Sequence, residues 1–356
     1  MKSFRVIGLM SGTSLDGLDV ADVTFELLDT EEWKFKLNHA SIFSYDKVLL
    51  SKLKSAVETP SYELIKLSID LGRFYADKVN DFLLEFNINK SEIDFIASHG
   101  QTIFHQPKIG YTLQIGNGPE LAVHTNLPTV VDFRSKDVAL GGNGAPLIPV
   151  ADHLLFNSYA DTFLNLGGFS NFSFMKSGQV FSYDICPVNI VVNELMGELG
   201  KEYDEHGDFG KGGSVHKGLL DSLNALSFYN EEGPKSLGWE WVVDQIHPLL
   251  KIELSLKDKI RTLYEHIGIQ IGDAINSSNS KSTLVTGGGT KNKFLIERIQ
   301  YYTQGKIIVP DENIIDFKEA IGFAFLGLLK WQGKINVWSS VTGSNRDSSS
   351  GIVIRP

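Results

Sequence analysis

Cysteine is almost missing. Of 356 residues only Cys186 carries a thiol, so no disulfide can form within the chain. That composition fits a reducing compartment. Positive charge is also short, with 33 Lys+Arg against 43 Asp+Glu and a net charge of −10. A protein that holds nucleic acid by its phosphates leans basic, so no nucleic-acid partner is expected. A small nucleotide pocket built on backbone dipoles stays open. Long apolar runs are lacking too. The longest, Ala320–Leu329, covers about ten residues against the ~20 that span a bilayer. The opening MKSFRVIGLM is too short and polar for a secretory h-region. These absences lead to the expectation of a soluble, cytoplasmic protein with no membrane partner. Two nucleotide signatures are absent as well. No GxxxxGK[ST] occurs, which excludes a P-loop, and no clean GxGxxG follows the first strand.

What is present is enough apolar sequence, 42% of residues, for about two domains at roughly 150 residues each. FRVIGLM (4–10), LDVADVTFELL (18–28) and residues 34–43 read as three strands, with Val20, Val23 and Phe25 as β formers. Helices are expected over 45–57 and 61–86. In the second of these Leu64, Leu67, Leu71, Phe74, Val79, Phe82 and Leu83 recur at helical spacing. IDFIASHGQTIFH (93–105) reads as a buried strand running into a polar loop, and LPTVVDFR (127–134) as a strand ending in charges. ALGGNGAPL (139–147) reads as a glycine-rich domain junction.

The opening pattern then returns. DTFLNLGGFSNFSFM (161–175) is strand, Gly-Gly turn, strand, and GQVFSYDI (178–185) adds a third strand. Helices follow at 187–200, 216–228 and 256–279, then strand, triple-glycine loop and helix over 282–303, and a last helix over 316–331. That helix carries Ala320, Gly322, Ala324 and Gly327, as close packing would require. The tail, 335–356, reads as loop. Two similar α/β halves facing each other across a cleft is the economical reading.

Four glycine-polar loops each follow a strand, at 11–17, 141–144, 167–171 and 287–290. Glycine there lets backbone N–H groups reach phosphate oxygens, although each loop alone is as well explained as a tight turn. In a cradle of two opposed hairpins, Ser11–Ser14 grip phosphates, and Asp16 or Asp19 holds Mg²⁺ directly or through water.

GLMSGTSLDGLDVA resembles the phosphate-binding opening of the anhydro-N-acetylmuramic acid kinases, members of the actin-like, sugar-kinase and heat-shock-ATPase superfamily. SHGQTIFHQP (98–107), residues 113–156, LNLGGFSNF (164–172), GPKSLGWEW (233–241), TGGGTKN (286–292), KEAIGFAFLG (318–327) and SVTGS (340–344) are similar to that family in the same order. The resemblance covers essentially the whole chain. It implies an α/β fold of two ribonuclease H-like domains facing across a nucleotide-binding cleft, the actin-like ATPase fold. The expected division is 1–135, an N-terminal domain joined by the tail, then 136–335, a C-terminal domain, then the tail 336–356. The implied activity is hydrolytic opening of 1,6-anhydro-N-acetylmuramic acid with phosphorylation to N-acetylmuramic acid 6-phosphate at the expense of ATP, in cell-wall recycling. The alternative is a nucleotide-binding relative with altered or lost activity. A homodimer is implied as well. A peptide-binding chaperone would need a long C-terminal extension.

The family's base is the aspartate of D-T-G-P-G-N, and DICPVN (184–189) stands in its place. Asp184, Pro187 and Asn189 match, whereas Ile185, Cys186 and Val188 replace Thr, Gly and Gly. Bulkier side chains there could reshape a sugar pocket. Asp184 is thus the expected base, with Glu319 helping to hold the water, although each also suits a helix start. Implied nucleotide contacts are Ser11, Gly12, Thr13, Ser14, Leu15, Asp16, Gly17, Leu18 and Asp19, then Gly167, Gly168 and Asn171, then Gly287, Gly288, Gly289 and Asn292. Implied sugar contacts are His99, Gln101, Thr102, Asn117, Arg134 and Asn189. Arg134 suits the lactyl carboxylate through a bidentate grip, unless it pairs with Asp132 instead. His99 and His105 are a poor zinc signature without further ligands. Cys186 reads as a buried small residue rather than a nucleophile.

Overall fold

The apolar alternation at the start of the chain folds into three antiparallel strands, β1 (Lys2–Ser11), β2 (Leu18–Leu27) and β3 (Trp33–Phe43). The computed structural model describes residues 2–231, 233 and 235–356. Met1 of the expected first domain, Glu232, and Pro234 of the GPKSLGWEW stretch lie outside the described residues. Helix α1 (Lys47–Lys54) starts where the Asp46 carboxylate accepts from the Val48 and Leu49 amides, both at 2.8 Å. Helix α2 (Ser61–Glu85) follows Pro60 and buries Leu64, Leu67, Leu71, Tyr75, Val79 and Phe82. They pack against Ile7, Leu9, Leu18 and Val20 of the sheet, each side chain contributing about 1.5–3 kcal/mol of burial. Tyr75 takes the core place expected of Phe74, which is half-buried against Tyr45.

Strand β4 (Phe95–Gln106) runs parallel to β1. It continues through SHGQTIFH, where a polar loop was expected, because β5 (Tyr111–Ile115) pairs with its second half. The chain turns through α3 (Gly118–Thr125) into β6 (Thr129–Val131), parallel to β4. The strand expected over 127–134 stops at Val131. Asp132 takes a φ of +56°, and Arg134 opens the short helix α4 (Ser135–Ala139). Helix α5 (Ile148–Leu155) ends this stretch.

The echo has the same topology. Strands β7 (Thr162–Leu166), β8 (Phe169–Lys176) and β9 (Gln179–Pro187) are antiparallel neighbours. Helices α6 (Asn189–Gly197), α7 (Lys217–Asn224) and α8 (Leu256–Ser277) follow. Strand β10 (Ser282–Thr286), helix α9 (Lys293–Tyr302) and strand β11 (Lys306–Ile308) close the sheet, in the order β11-β10-β7-β8-β9. The first sheet runs β6-β4-β1-β2-β3. Three antiparallel strands followed by two parallel ones, twice over, is the ribonuclease H-like arrangement of an actin-like chain.

Helix α10 (Glu312–Trp331) brings the chain back to the first sheet, and β12 (Ile352–Ile354) pairs with β6. The two compact units are residues up to Leu155 with Phe317–Pro356, and Phe156–Asp316. These bounds differ from the expected 136–335 domain at both ends. Helix α5 and nearly all of α10 pack on the first sheet, where the small residues of α10 allow very close approach. A Cβ on Gly8 would sit 2.2 Å from the Ala320 carbonyl oxygen, and one on Gly322 would sit 2.7 Å from Ile148. The tail is not plain loop. Asn336 ties it down by donating to the Leu326 and Ser350 carbonyls, both at 2.9 Å.

Candidate active site

In the first unit the β1–β2 connection is a tight turn in which the Leu15 amide donates to the Gly12 carbonyl at 3.2 Å. Leu15 adopts a φ of +60°. Thr13, Ser14 and Asp16 are exposed there, while Gly12, Leu15 and Asp19 are half-buried. Ser11, Gly17 and Leu18 are buried instead. The Ser11 hydroxyl is held by the Tyr45 hydroxyl at 2.6 Å and by Gln101. Leu18 belongs to the α2 core. Ser11 and Leu18 can therefore offer a phosphate only backbone, and Gln101 braces the hairpin from below.

His99 lies on β4 itself and is buried. Its Nδ1 bonds the Gly100 carbonyl at 2.8 Å, and its Nε2 accepts from Arg134 Nε at 2.8 Å. Burial and the adjacent guanidinium push its pKa well below the usual 6.5, so the ring is neutral. Both nitrogens are occupied, which leaves no lone pair for zinc. His105 faces Thr112, at 3.1 Å.

Arg134 does not pair with Asp132, whose carboxylate caps the Ser135 amide at 3.1 Å. Its Nη1 donates to the Gly144 carbonyl at 2.6 Å. Desolvation lowers its pKa to about 10, partly offset by Glu319. Nε is taken, so a carboxylate would have to be met end-on by the two Nη groups. Glu319, on α10, retains open surface. Desolvation still raises its pKa, against the pull of Lys318 and Arg134. Lys318 is buried in an ion pair with Asp152 at 3.0 Å. Asn117 caps α3 by accepting from the Glu120 amide at 3.1 Å. It lines a cavity of about 240 Å³ together with His99, Gln114, Asp132 and Ser135. Thr102 accepts from Gln114 at 3.3 Å.

In the second unit Asp184 stands on the edge strand β9. Its Oδ1 accepts from Asn171 Nδ2 at 3.1 Å, and its Oδ2 from the Leu237 amide at 2.9 Å. Its own amide donates to the Lys235 carbonyl at 3.0 Å. Asn171 is fixed in turn by Ser182, whose hydroxyl donates to its Oδ1 at 3.1 Å. Burial raises the Asp184 pKa, and the two donors pull it back. A carboxylate so raised and oriented, with lone pairs to spare, is suited to take a proton from water. Asn171 therefore serves Asp184 in this structure. The Lys235–Leu237 backbone clamp has no side-chain signature in the sequence beyond the GPKSLGWEW stretch.

The Gly167–Gly168 turn is tied to the start of α6, since its carbonyls accept from Asn189 at 3.3 Å and Val188 at 2.8 Å. Asn189 Nδ2 donates to the Leu166 carbonyl at 3.2 Å. In the Gly287–Gly289 loop, Gly287 has a φ of +87°, and a Cβ there would meet Asn165 at 2.5 Å. Asn292 is engaged within the protein, capping Leu295 at 2.9 Å and donating to Tyr264 at 2.7 Å. The side chains of Cys186 and Val188 lie in the core of this unit, and neither residue has a positive φ. Burial pushes the Cys186 thiol up to about 12, which leaves it inert.

Residues 4–356 match the family described as anhydro-N-acetylmuramic acid kinase. The anhydro-N-acetylmuramic acid kinase of Aliivibrio fischeri is 35% identical, with 98% of each chain covered. That of Sulfurimonas denitrificans is 32% identical, again over 98% of each.

Proposed function

The chain belongs to the anhydro-N-acetylmuramic acid kinase family, and on that footing we propose how its own residues carry the reaction. The enzyme is an ATP-dependent phosphotransferase with an alcohol acceptor. It opens 1,6-anhydro-N-acetylmuramic acid and yields N-acetylmuramic acid 6-phosphate in peptidoglycan recycling. The full-length match carries this conclusion.

Asp184 takes the proton of the water that attacks the anomeric carbon. As that C–O bond forms, the bond from the anomeric carbon to the bridging oxygen breaks. The bridging oxygen, still on C6, attacks the γ-phosphorus, and ADP leaves. The phosphoryl group takes the place of the proton that a glycosidase acid would supply, so one carboxylate base suffices. Glu319 orients the water, and Arg134 faces the lactyl carboxylate, with His99, Gln101, Thr102, Asn117 and Asn189 around the sugar. In the first unit the hairpin from Ser11 to Asp19 meets phosphate with its amides and its Thr13 and Ser14 hydroxyls. In the second, the Gly167–Gly168 turn and the Gly287–Gly289 loop offer backbone to the nucleotide.

Mg²⁺ fits the first hairpin. Among the described residues no group of three His, Cys, Asp or Glu is placed to hold a metal. A Mg²⁺ ion needs only one or two carboxylates when phosphates and water complete its shell. Asp16 and Asp19 would hold it, and it would neutralise charge on the phosphate oxygens. No helix among the described residues is long and apolar enough to cross a membrane. A cytoplasmic homodimer completes the proposal.

The test is ADP release with MgATP, with and without the anhydro-sugar, in ¹⁸O-labelled water. Label on the anomeric hydroxyl and none in the phosphate ester is expected. Sugar-independent ADP release, or label in the ester, would overturn the reading.

A further inference from the structure

A large cavity of the second unit, about 890 Å³, plays no part in the chemistry above. It lies along the face of β8 and β9 that packs toward α8. One wall is aromatic. Phe174 stacks on Phe181 with centroids 5.9 Å apart and meets Tyr183 edge-on at 6.0 Å. The opposite wall is polar. Gln270 and Asp273 come from neighbouring turns of α8, and Asn224 comes from the end of α7. Asn224 is oriented by accepting from Gln270 at 3.0 Å and by bonding His266 at 2.6 Å. Lys235 reaches the same space, with its ammonium 4.5 Å from the Phe228 ring centroid and donating to the Phe228 carbonyl at 2.7 Å.

This mixture narrows the ligand class. A nucleotide or other polyanion would want a surplus of cations, but here Lys176 and Lys235 are matched by Glu231 and Asp273. A lipid or apolar peptide would leave the Asp273 carboxylate, and the amide groups of Asn224 and Gln270 that their mutual bond does not use, facing hydrocarbon. A pyranose suits both walls, since its C–H faces lie on aromatic rings and its hydroxyls exchange hydrogen bonds with amides and a carboxylate. The volume is in the range of ligand sites and exceeds the need of one sugar ring.

The cavity also touches the proposed base from behind. Tyr183 and Ile185 line it, and Asp184 lies between them on β9 with alternate side chains on opposite faces. Lys235 lines it too, while its carbonyl accepts from the Asp184 amide at 3.0 Å. Two residues on, the Leu237 amide holds Asp184 Oδ2 at 2.9 Å. We propose that this cavity is a second, non-catalytic site for an uncharged pyranoside, one or two rings long, whose occupancy is felt by Asp184. The regulatory half rests on Asp184 being the base; the binding half does not.

The experiment is calorimetric titration with N-acetylglucosamine and its β-1,4-linked dimer. The proteins are the wild type, Phe181→Ala, Gln270→Ala and Asp184→Asn. Binding is expected to the wild type and to Asp184→Asn alike, weakened about tenfold in each cavity variant. Both cavity variants should keep their probe-free kcat and KM. Saturating probe should shift the acid limb of the wild-type kcat/KM profile and leave that of the cavity variants in place. The proposal falls if neither probe binds, if the anhydro-sugar competes with the probe, or if both cavity variants bind as the wild type does. It also falls if the probe does not bind and Phe181→Ala splits a dimer in sedimentation, for the cavity would then be a contact between copies. Probe binding without any anhydro-sugar-dependent ADP release would instead count against the assigned reaction and leave the site standing.

Discussion

Restoring the family glycine at position 188 should cost stability and gain nothing in catalysis. Val188 is 1% exposed and packs in the core of the second unit. The hydrogen bond its amide donates to the Gly168 carbonyl, at 2.8 Å, is backbone and survives the change. Val188→Gly deletes three buried carbons, about 2.4 kcal/mol at ~0.8 kcal/mol per carbon. Glycine's extra freedom in the unfolded chain adds roughly 0.5–1 kcal/mol, and any cavity that fails to collapse adds more. The total is about 3–4 kcal/mol, a drop in Tm of roughly 6–16 °C for a unit of this size. Differential scanning calorimetry reads that drop. Steady-state ADP release well below the transition should give kcat and sugar KM close to those of the wild type. A variant that melts with the wild type but binds sugar much more tightly would refute the reasoning, because Val188 would then shape the sugar pocket rather than fill the core.

Asn171→Ala removes a donor that holds the Asp184 pKa down, so that pKa should rise. As the proposed base, Asp184 must be ionised, so activity falls as pH drops through its pKa, and the acid limb of kcat/KM should move to higher pH. An unmoved limb would separate Asn171 from the base. Arg134→Lys loses the bonds to His99 and Gly144 as well as the fork; sugar KM should rise by about tenfold or more, with a smaller change in kcat. The native Cys186 thiol should resist alkylation at pH 8 and react once the protein is unfolded, as mass spectrometry can show. Gly8→Ala should destabilise the first unit by more than about 1–3 kcal/mol, because its Cβ would meet backbone that cannot step aside.

The parts of the fold legible in the sequence are those whose own periodicity decides them. Strands β1 to β3, helix α2 and the Gly-Gly hairpin of β7 and β8 fall into this group. Strand β5 and the continuation of β4 past Gly100 were missed, since polar SHGQT becomes strand only through pairing. Strand β12 is three residues long and depends on a partner in β6, far back in the chain. Asp184 was visible as a candidate through its motif despite the replaced glycines. Its clamp at Leu237 was not, because any residue but proline can donate a backbone amide. Asn171 reads in the sequence as a nucleotide contact, and only its geometry ties it to the carboxylate.

The contact between Gly8 and Ala320 sets what α10 is able to do. Strand backbone and helix backbone touch there with no side chain between them to act as a bearing. Ala320 follows Glu319 directly, and Gly8 lies three residues before Ser11. A roll or slide of the helix would drive the turn bearing Ala320 into the strand, so Glu319 and the base of the first hairpin travel as one piece. Whatever motion accompanies turnover, the distance between these two points is kept by the packing of the β1 backbone on that of α10. A larger side chain at Gly8 would therefore displace both together.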